Sequence, residues 1–153
     1  MGTRMRYYLD TEFNEFGGDL ISLALVRDDG ESLYLVYPDL QEYGPWVKDN
    51  VVPILWSIPS PIPGMAYKLE NHEEGARRIQ TFLSGDPHIV IVTDWPDDIR
   101  YFCQAIITGP GMMINIPGIV FQMLRVDAYP TTLENAVQHN AWWDAMALRE
   151  LLK

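Results

Sequence analysis

Carboxylates in three separate parts of the chain are the side chains best suited to do chemistry. They are Asp10 and Glu12 in YYLDTEFNE, Asp94, Asp97 and Asp98 in TDWPDD, and Asp144, which follows His139 by five residues in HNAWWDA. Mg²⁺ and Mn²⁺ prefer oxygen ligands and keep positions open for water and substrate phosphates, so their sites draw carboxylates from several elements. The sequence therefore predicts a divalent-metal site wherever folding brings the three groups together.

The spacing within two of these groups constrains the elements that carry them. Asp10 and Glu12 are two residues apart in an aromatic-rich run, and side chains so spaced point to the same side of a β-strand. Taken alone, they are also compatible with a solvated strand end. His139 and Asp144 are five residues apart, which is about 500° around an α-helix, so the two side chains cannot share a face. We therefore expect His139 just before a helix, with Asn140 as its N-cap.

The composition is that of a globular protein. The chain has 153 residues, of which 48% are hydrophobic and 21% charged, and this length fits one domain with a buried core. Its single cysteine, Cys103, excludes an intrachain disulfide and a multi-cysteine zinc site. The N-terminus has no apolar signal region, and prolines and glycines interrupt the apolar tract GPGMMINIPGIVFQML. We therefore expect a cytoplasmic protein with no membrane-spanning helix.

The net charge of −10 bears on the class of partner. A surface that binds nucleic acid by bulk electrostatics is usually rich in Lys and Arg. This chain has only 11 such residues against 21 Asp and Glu, so its composition argues against that mode of binding. An enzyme that recruits divalent cations to an acidic site is still compatible with the charge, because the ions then supply the local positive charge.

Three antiparallel strands are predicted at the start of the chain. Residues 5–11 alternate between the two sides of a strand, and residues 20–26 and 32–37 are two further apolar runs. The intervening sequence RDDGE contains an Asp-Gly pair, which is a strong signal for a hairpin turn.

A helical crossover, a buried strand and a second helix are predicted next. Asn71 and Glu74 form a capping-box pattern that begins a helix, which ends before Gly85. The run HIVIVT at 88–93 is continuously apolar and β-branched, as is typical of a strand covered on both faces in a parallel arrangement. Apolar residues then repeat with helical spacing in PDDIRYFCQAII, which predicts a helix beginning at Pro96.

The remaining segments are less regular. Residues 38–68 contain six prolines and are predicted to form an irregular flap with a short helix around GPWVKDNVVPIL. Residues 108–130 begin as a loop and continue as a strand or a short helix; we prefer a strand near 119–127. Thr131 to Glu134 is another capping box and predicts a short helix, and apolar residues from Ala141 to Leu152 predict the last helix. The sum is a mixed α/β sheet with helices on its faces.

The order of these motifs resembles a known superfamily. DTE near the N-terminus, an aspartate opening the helix after the fourth strand, and HNAWWDA resemble the three motifs of the DEDDh exonucleases. The resemblance spans nearly the whole chain and implies a single domain over residues 1–153, and YYLDTEF and DIRYFCQ look most like the polyadenylate-specific exoribonuclease AS group. It implies a ribonuclease H-like α/β fold with strand order 3-2-1-4-5, three antiparallel strands followed by parallel ones, and helices on both faces.

The resemblance also implies roles for five residues. Asp10 would bridge two Mg²⁺ or Mn²⁺ ions, Glu12 and Asp144 would hold the ion on the nucleophile side, and Asp98 would hold the ion on the leaving-group side. His139 would be the general base. Two ions ~3.5–4 Å apart stabilise the attacking and leaving oxygens of an in-line displacement at phosphorus, and histidine can accept a proton from the attacking water near neutral pH.

The second motif leaves alternatives open. Asp98 is preferred because Phe102 stands four residues later, where the family has an apolar residue. Asp94, one helical turn earlier, could substitute for Asp98 or assist it, and Asp97 is expected to take no part. Asp97 and Asp98 are also compatible with a simpler role in complementing the helix dipole.

Several further residues are candidates for contacts with a substrate. The resemblance implies such a contact for Phe13, which directly follows the first motif, and Thr11 within that motif and Asp94 are two further candidates. Trp142 and Trp143 could stack on bases, but we prefer a core or subunit-contact role for them. Four arginines are candidates for phosphate contacts, although we expect most of them to be solvated surface charges: Arg77, Arg78, Arg100 and Arg125.

The functional hypothesis is a Mg²⁺- or Mn²⁺-dependent 3′→5′ exoribonuclease that acts on the 3′ end of single-stranded RNA and releases nucleoside 5′-monophosphates. Preference for adenylate-rich ends and homodimerisation are implied only by the resemblance. The alternatives are a DNA 3′→5′ exonuclease with the same site, and an inactive binding module that uses the proline-rich loop 53–64 and the region of Trp142 and Trp143.

Overall fold

The computed structural model describes residues 4–127 and 133–153. In this part of the chain the strands form a six-stranded mixed sheet and a separate two-stranded hairpin. The strands are β1 (Met5–Phe13), β2 (Leu20–Arg27), β3 (Ser32–Val36), β4 (Gly64–Lys68), β5 (Ile89–Thr93), β6 (Ile107–Gly109), β7 (Met112–Met113) and β8 (Ile119–Met123). The helices are α1 (Pro45–Asn50), α2 (His72–Leu83), α3 (Pro96–Ala105) and α4 (Ala141–Leu152), and a 3₁₀ turn spans Val52–Ile54.

The main sheet has the strand order β4-β3-β2-β1-β5-β8. β2 is antiparallel to β1 and β3, whereas β5 is parallel to both β1 and β8. The five predicted strands therefore lie in the predicted order within a mixed α/β sheet. Because β1 and β5 are parallel neighbours, the residues at their carboxyl ends meet at one edge of the sheet, where ligand sites of open α/β sheets usually lie.

Helices cover both faces of this sheet. On one face, Leu9 and Leu25 belong to a buried cluster with Ile79 of α2 and Phe102 of α3. On the other face, residues of β2 and β3 pack with α1 and with the first turns of α4. The buried strand β5 reads IVIVT and is covered on both sides, as its β-branched run predicts.

Side-chain caps begin the two long helices for which capping was predicted. Asn71 Oδ1 accepts a hydrogen bond from the backbone amide of Glu74 at 2.8 Å, which caps α2. Asn140 Oδ1 accepts one from the backbone amide of Trp143 at 3.2 Å, which caps α4 and leaves His139 outside the helix. Both predictions are confirmed, and each cap satisfies an amide that has no partner within its helix.

The prediction of an irregular flap over residues 38–68 is only partly right. The short helix is present as α1, but the segment ends in the strand β4, which lies parallel to β3 at the edge of the sheet. β4 begins at Gly64, whose φ is +116°, and a Cβ there would lie 1.9 Å from the carbonyl oxygen of Ser32. Glycine lets the chain join β3 at this close approach.

Three predictions in the second half of the chain also need correction. The last strand, β8, ends at Met123 rather than near residue 127, and the loop before it contains the hairpin of β6 and β7. Residues 133–140 contain turns and no helix, so the short helix predicted there is wrong in its described part. Thr131 and Thr132, which begin the second capping box, lie outside the described residues.

Among the described residues, no helix combines the length and the apolar character that crossing a bilayer would require.

Candidate metal centre

β1 places the first two carboxylates. Asp10 pairs with Ala24 and Glu12 with Ser22 on β2, so the two acidic residues point to one side of the strand near its carboxyl end. Thr11 between them points to the opposite side, where it is buried. The alternation predicted from DTE therefore holds in the structure.

Folding brings the other two motifs to this strand end. One group of carboxylates consists of Asp10, Glu12 and Asp144, and a second consists of Asp10, Asp94 and Asp98; in each group one oxygen atom per residue lies within 4.8 Å of the others. Asp10 belongs to both groups, which are therefore adjacent.

Separate elements supply these side chains. Asp94 directly follows β5, Asp98 lies in the first turn of α3, and Asp144 lies in the first turn of α4. The positive end of each helix dipole thus faces the cluster and partly offsets its negative charge.

Asp98 is the most enclosed of these carboxylates, with 2% of its surface exposed. Its two oxygen atoms accept hydrogen bonds from the hydroxyls of Thr11 and Thr93, each at 2.7 Å. Burial raises the pKa of Asp98 from 3.8 to about 7, although the two threonine hydroxyls act in the opposite direction. Thr11, a predicted substrate contact, therefore uses its hydroxyl to hold Asp98.

The central carboxylates are costly to ionise together. Burial raises the pKa of Asp10 well above 3.8, and repulsion from the four neighbouring carboxylates raises it further. The pKa of Glu12 is also raised well above its ordinary value, mainly by burial and then by the nearby charge of Asp144. For Asp144 burial is the main cause, and its pKa rises to about 7. A fully ionised cluster therefore requires compensating positive charge.

The donor set fits a hard divalent cation. Asp10 keeps some exposed surface as a residue, but its Oδ2 atom is buried and has no hydrogen-bond partner among the described residues. A buried carboxylate oxygen without a partner is unfavourable unless a cation or a proton satisfies it. Asp10 and the four other carboxylates of the two groups match the all-oxygen preference of Mg²⁺ and Mn²⁺.

His139 lies beside the cluster but belongs to neither group of carboxylates. It has a φ of +64° in the loop before α4, and its backbone hydrogen bond acts to lower the pKa of Asp144. Its ring packs edge-to-face on Trp46 of α1, with the ring centres 4.8 Å apart. Trp46 is 52% exposed, and the sequence held no sign of this contact because it joins two distant segments.

The second motif contains one carboxylate that stays apart. Asp97 is in neither group; its Oδ2 accepts a hydrogen bond from the indole Nε1 of Trp95 at 3.0 Å. Asp94 does join the cluster, where one oxygen atom each of Asp94, Asp98 and Asp10 lies within 4.8 Å of the others, so both aspartates of the second motif stay candidates to hold an ion.

Several of the other predicted substrate-contact residues lie against aromatic rings. Phe13 stacks on Tyr101 with ring centres 4.5 Å apart, and Arg78 lies over Tyr67 and beside Glu74. Arg125 lies over the ring of Trp95, and its charge opposes the rise in the pKa of Asp94 that burial causes.

Trp142 and Trp143 are core residues, as preferred from the sequence. They are 2% and 7% exposed, and their indole N–H groups donate to Ser32 Oγ and to the carbonyl of Ser57, respectively. Neither ring is available to stack on a base in this arrangement.

Comparisons with known proteins do not assign this chain to a family. No protein-family model matches the sequence, and no curated protein matches it.

Proposed function

We propose that this protein is a divalent-metal-dependent 3′→5′ exoribonuclease of the DEDDh type, with a ribonuclease H-like fold. The observation that carries the proposal is the position of Asp10 in both groups of carboxylates. A residue shared in this way could bridge two ions, and two-metal sites stabilise the attacking and leaving oxygens of an in-line displacement at phosphorus. Its unpartnered, buried Oδ2 supports the same conclusion.

Each carboxylate has a task in this proposal. Glu12 and Asp144 with Asp10 would hold one ion, while Asp94 and Asp98 with Asp10 would hold the other. When bound, two such ions supply charge stabilisation for both the attacking and the leaving oxygen. The hydroxyls of Thr11 and Thr93 keep Asp98 in one orientation, because each binds a different oxygen of the carboxylate.

His139 is the proposed general base. It accepts the proton of the attacking water, since an imidazole can do so near neutral pH. Asn140 caps α4 and so fixes the point at which the loop with His139 meets the helix, and Trp46 packs against the imidazole ring. The base thus has a defined position on a loop rather than on the helix.

The proposed substrate is the 3′ end of single-stranded RNA, and the products are nucleoside 5′-monophosphates. The resemblance to the polyadenylate-specific group makes an adenylate-rich end the first substrate to test. A contact to the 2′-hydroxyl would separate RNA from DNA, and the motif residues do not by themselves decide between the two. Homodimerisation stays a prediction of the same resemblance.

The deciding experiment follows the digestion of 5′-labelled single-stranded RNA in Mg²⁺. We expect a ladder that shortens from the 3′ end, with release of nucleoside 5′-monophosphates. EDTA, Asp10→Asn and His139→Ala should abolish or strongly reduce the ladder. His88→Ala is the matched control for histidine, because His88 is exposed and precedes β5 at the opposite end of the strand from Asp94.

The results that would contradict the proposal are specific. If wild type and Asp10→Asn leave RNA equally intact in Mg²⁺ and in Mn²⁺, the enzyme hypothesis is lost. Faster digestion of a matched DNA strand would favour the DNA exonuclease. No digestion together with no thermal response to millimolar Mg²⁺ would favour the binding module.

A further inference from the structure

An exposed tryptophan lies beside the carboxylates and has no role in the mechanism above. Trp95 is 47% exposed and is the N-cap residue of α3. It lies in the chain directly after Asp94 and three residues before Asp98, which both belong to the second carboxylate group. Its exposure beside the second carboxylate group leaves the ring accessible to a ligand that approaches the site.

The indole is held in one orientation although it is not buried. Its Nε1 donates to Asp97 Oδ2 at 3.0 Å, and the guanidinium carbon of Arg125 lies 4.9 Å from the ring centre. The backbone amide of Trp95 also donates to Thr93 Oγ1 at 3.3 Å. A ring fixed in this way loses little conformational entropy when a ligand stacks on it.

Arg125 adds positive charge next to an acidic cluster. It is exposed and, within the part of the chain that the structure describes, makes no ion pair. Burial raises the pKa of the Asp94 carboxyl, and Arg125 lies close enough for its positive charge to oppose that rise. In a chain with 21 acidic and 11 basic residues, a cation at this position complements an anionic ligand that approaches the site.

We propose that Trp95 and Arg125 form a second nucleotide subsite, which binds single-stranded RNA upstream of the terminal nucleotide. The base stacks on the indole and the guanidinium contacts a phosphate, a combination that recurs where proteins bind single strands. The position of this subsite relative to the scissile bond depends on the proposed function. Stacking tolerates every base, so the subsite selects an unpaired strand rather than a sequence.

Direct binding tests the subsite without requiring catalysis. The probe is a fluorescein-labelled RNA decamer with phosphorothioate linkages, measured by anisotropy in Ca²⁺. We expect Trp95→Ala to raise Kd ~10-fold and Trp95→Phe to retain most of the affinity, because loss of one stacked base has effects of this order. The matched control is Trp56→Ala, since Trp56 is 49% exposed but lies in the proline-rich segment.

Salt dependence tests the phosphate contact separately. Arg125→Ala should decrease the slope of log Kd against log salt by about 0.7, the value expected for one phosphate contact to a single strand. Arg4→Ala is the control, because Arg4 is exposed at the opposite end of β1 from Asp10. A merely structural effect of Arg125 would weaken binding without a change of slope.

Kinetics separate this inference from the proposed function. For an active enzyme, Trp95→Ala should raise KM for the natural decamer ~10-fold more than KM for a nitrophenyl ester of a nucleoside 5′-monophosphate, which occupies the terminal position alone. If RNA is digested but Trp95→Ala and Trp56→Ala bind the decamer equally, the subsite is wrong and the proposed function stands. If RNA is not digested but only Trp95→Ala weakens binding, the subsite stands and the proposed function fails.

Discussion

Removal of divalent ions should make the stability of this protein fall as the pH rises. Asp98 shows why, because burial places its pKa at about 7 in the folded protein, against 3.8 for an ordinary aspartate. Between these two pH values the folded protein keeps a proton that the unfolded chain has lost, so the free energy of unfolding decreases with pH. The stabilisation that protonated Asp98 provides is fully present below pH 3.8, and it is lost above about pH 7.

The size of the effect follows from the same two values. At 1.36 kcal/mol per pH unit, the difference between 3.8 and about 7 corresponds to ~4 kcal/mol for Asp98 alone. For a chain of this length, that energy is equivalent to roughly 8–16 °C in Tm. The pKa of Asp144 is also about 7, so its contribution has the same sign.

Asp98→Asn isolates the contribution of this residue. The amide stays neutral at every pH and can still accept a hydrogen bond from Thr11 or Thr93. In EDTA we expect the variant to match wild type near pH 4 and to exceed it at pH 8 by up to ~4 kcal/mol. Asp97→Asn is the matched control, because Asp97 lies in the same turn of α3 but outside both carboxylate groups.

Thermal unfolding by circular dichroism from pH 4 to pH 8 measures this effect. Mg²⁺ should then raise the Tm of wild type at pH 8 far more than at pH 4, since protonated carboxylates do not bind the ion. Identical pH dependence of wild type and Asp98→Asn in EDTA would refute the reasoning about buried charge. An equal response of wild type and Asp98→Asn to Mg²⁺ would refute the role of Asp98 as a ligand.

Three further changes test the parts of the site that position other groups. Trp46→Ala should lower kcat ~10-fold, because the contact with His139 is lost. In a protein that already carries His139→Ala, the same change should lower kcat little further, and a double-mutant cycle of steady-state rates would measure this non-additivity. Thr93→Val should lower the free energy of unfolding at pH 8 by ~1–3 kcal/mol, because ionised Asp98 loses a donor; urea denaturation at pH 8 and pH 5 should show the larger loss at pH 8. Asn140→Ala removes the cap of α4 and two contacts to backbone carbonyls, so we expect ~1–3 kcal/mol of destabilisation by urea denaturation at any pH, and no change would contradict the capping role.

Features encoded by neighbouring residues were predictable from the sequence. The alternation of Asp10 and Glu12 on a strand and the cap at Asn140 need only local geometry, because strand and helix periods follow from the backbone. The same is true of β5, whose short β-branched run is typical of a buried parallel strand. The order of the five predicted strands came from the resemblance rather than from any local rule.

Features that depend on distant segments were not predictable. β4 adds to the sheet edge because Gly64 permits close approach to Ser32, a contact that its own proline-rich surroundings do not indicate. The packing of Trp46 on His139, which joins α1 to the loop before α4, likewise has no counterpart in any local pattern.

The sequence by itself thus determined which side chains are chemically suited to hold a divalent ion, and which of them share a strand side or precede a helix. Only the tertiary structure decided that Asp94 joins Asp98 beside Asp10 while Asp97 turns away to Trp95. The physical reason is that β1 and β5 are parallel neighbours, so residues more than 80 positions apart meet at one sheet edge. No periodicity within a single segment contains that information.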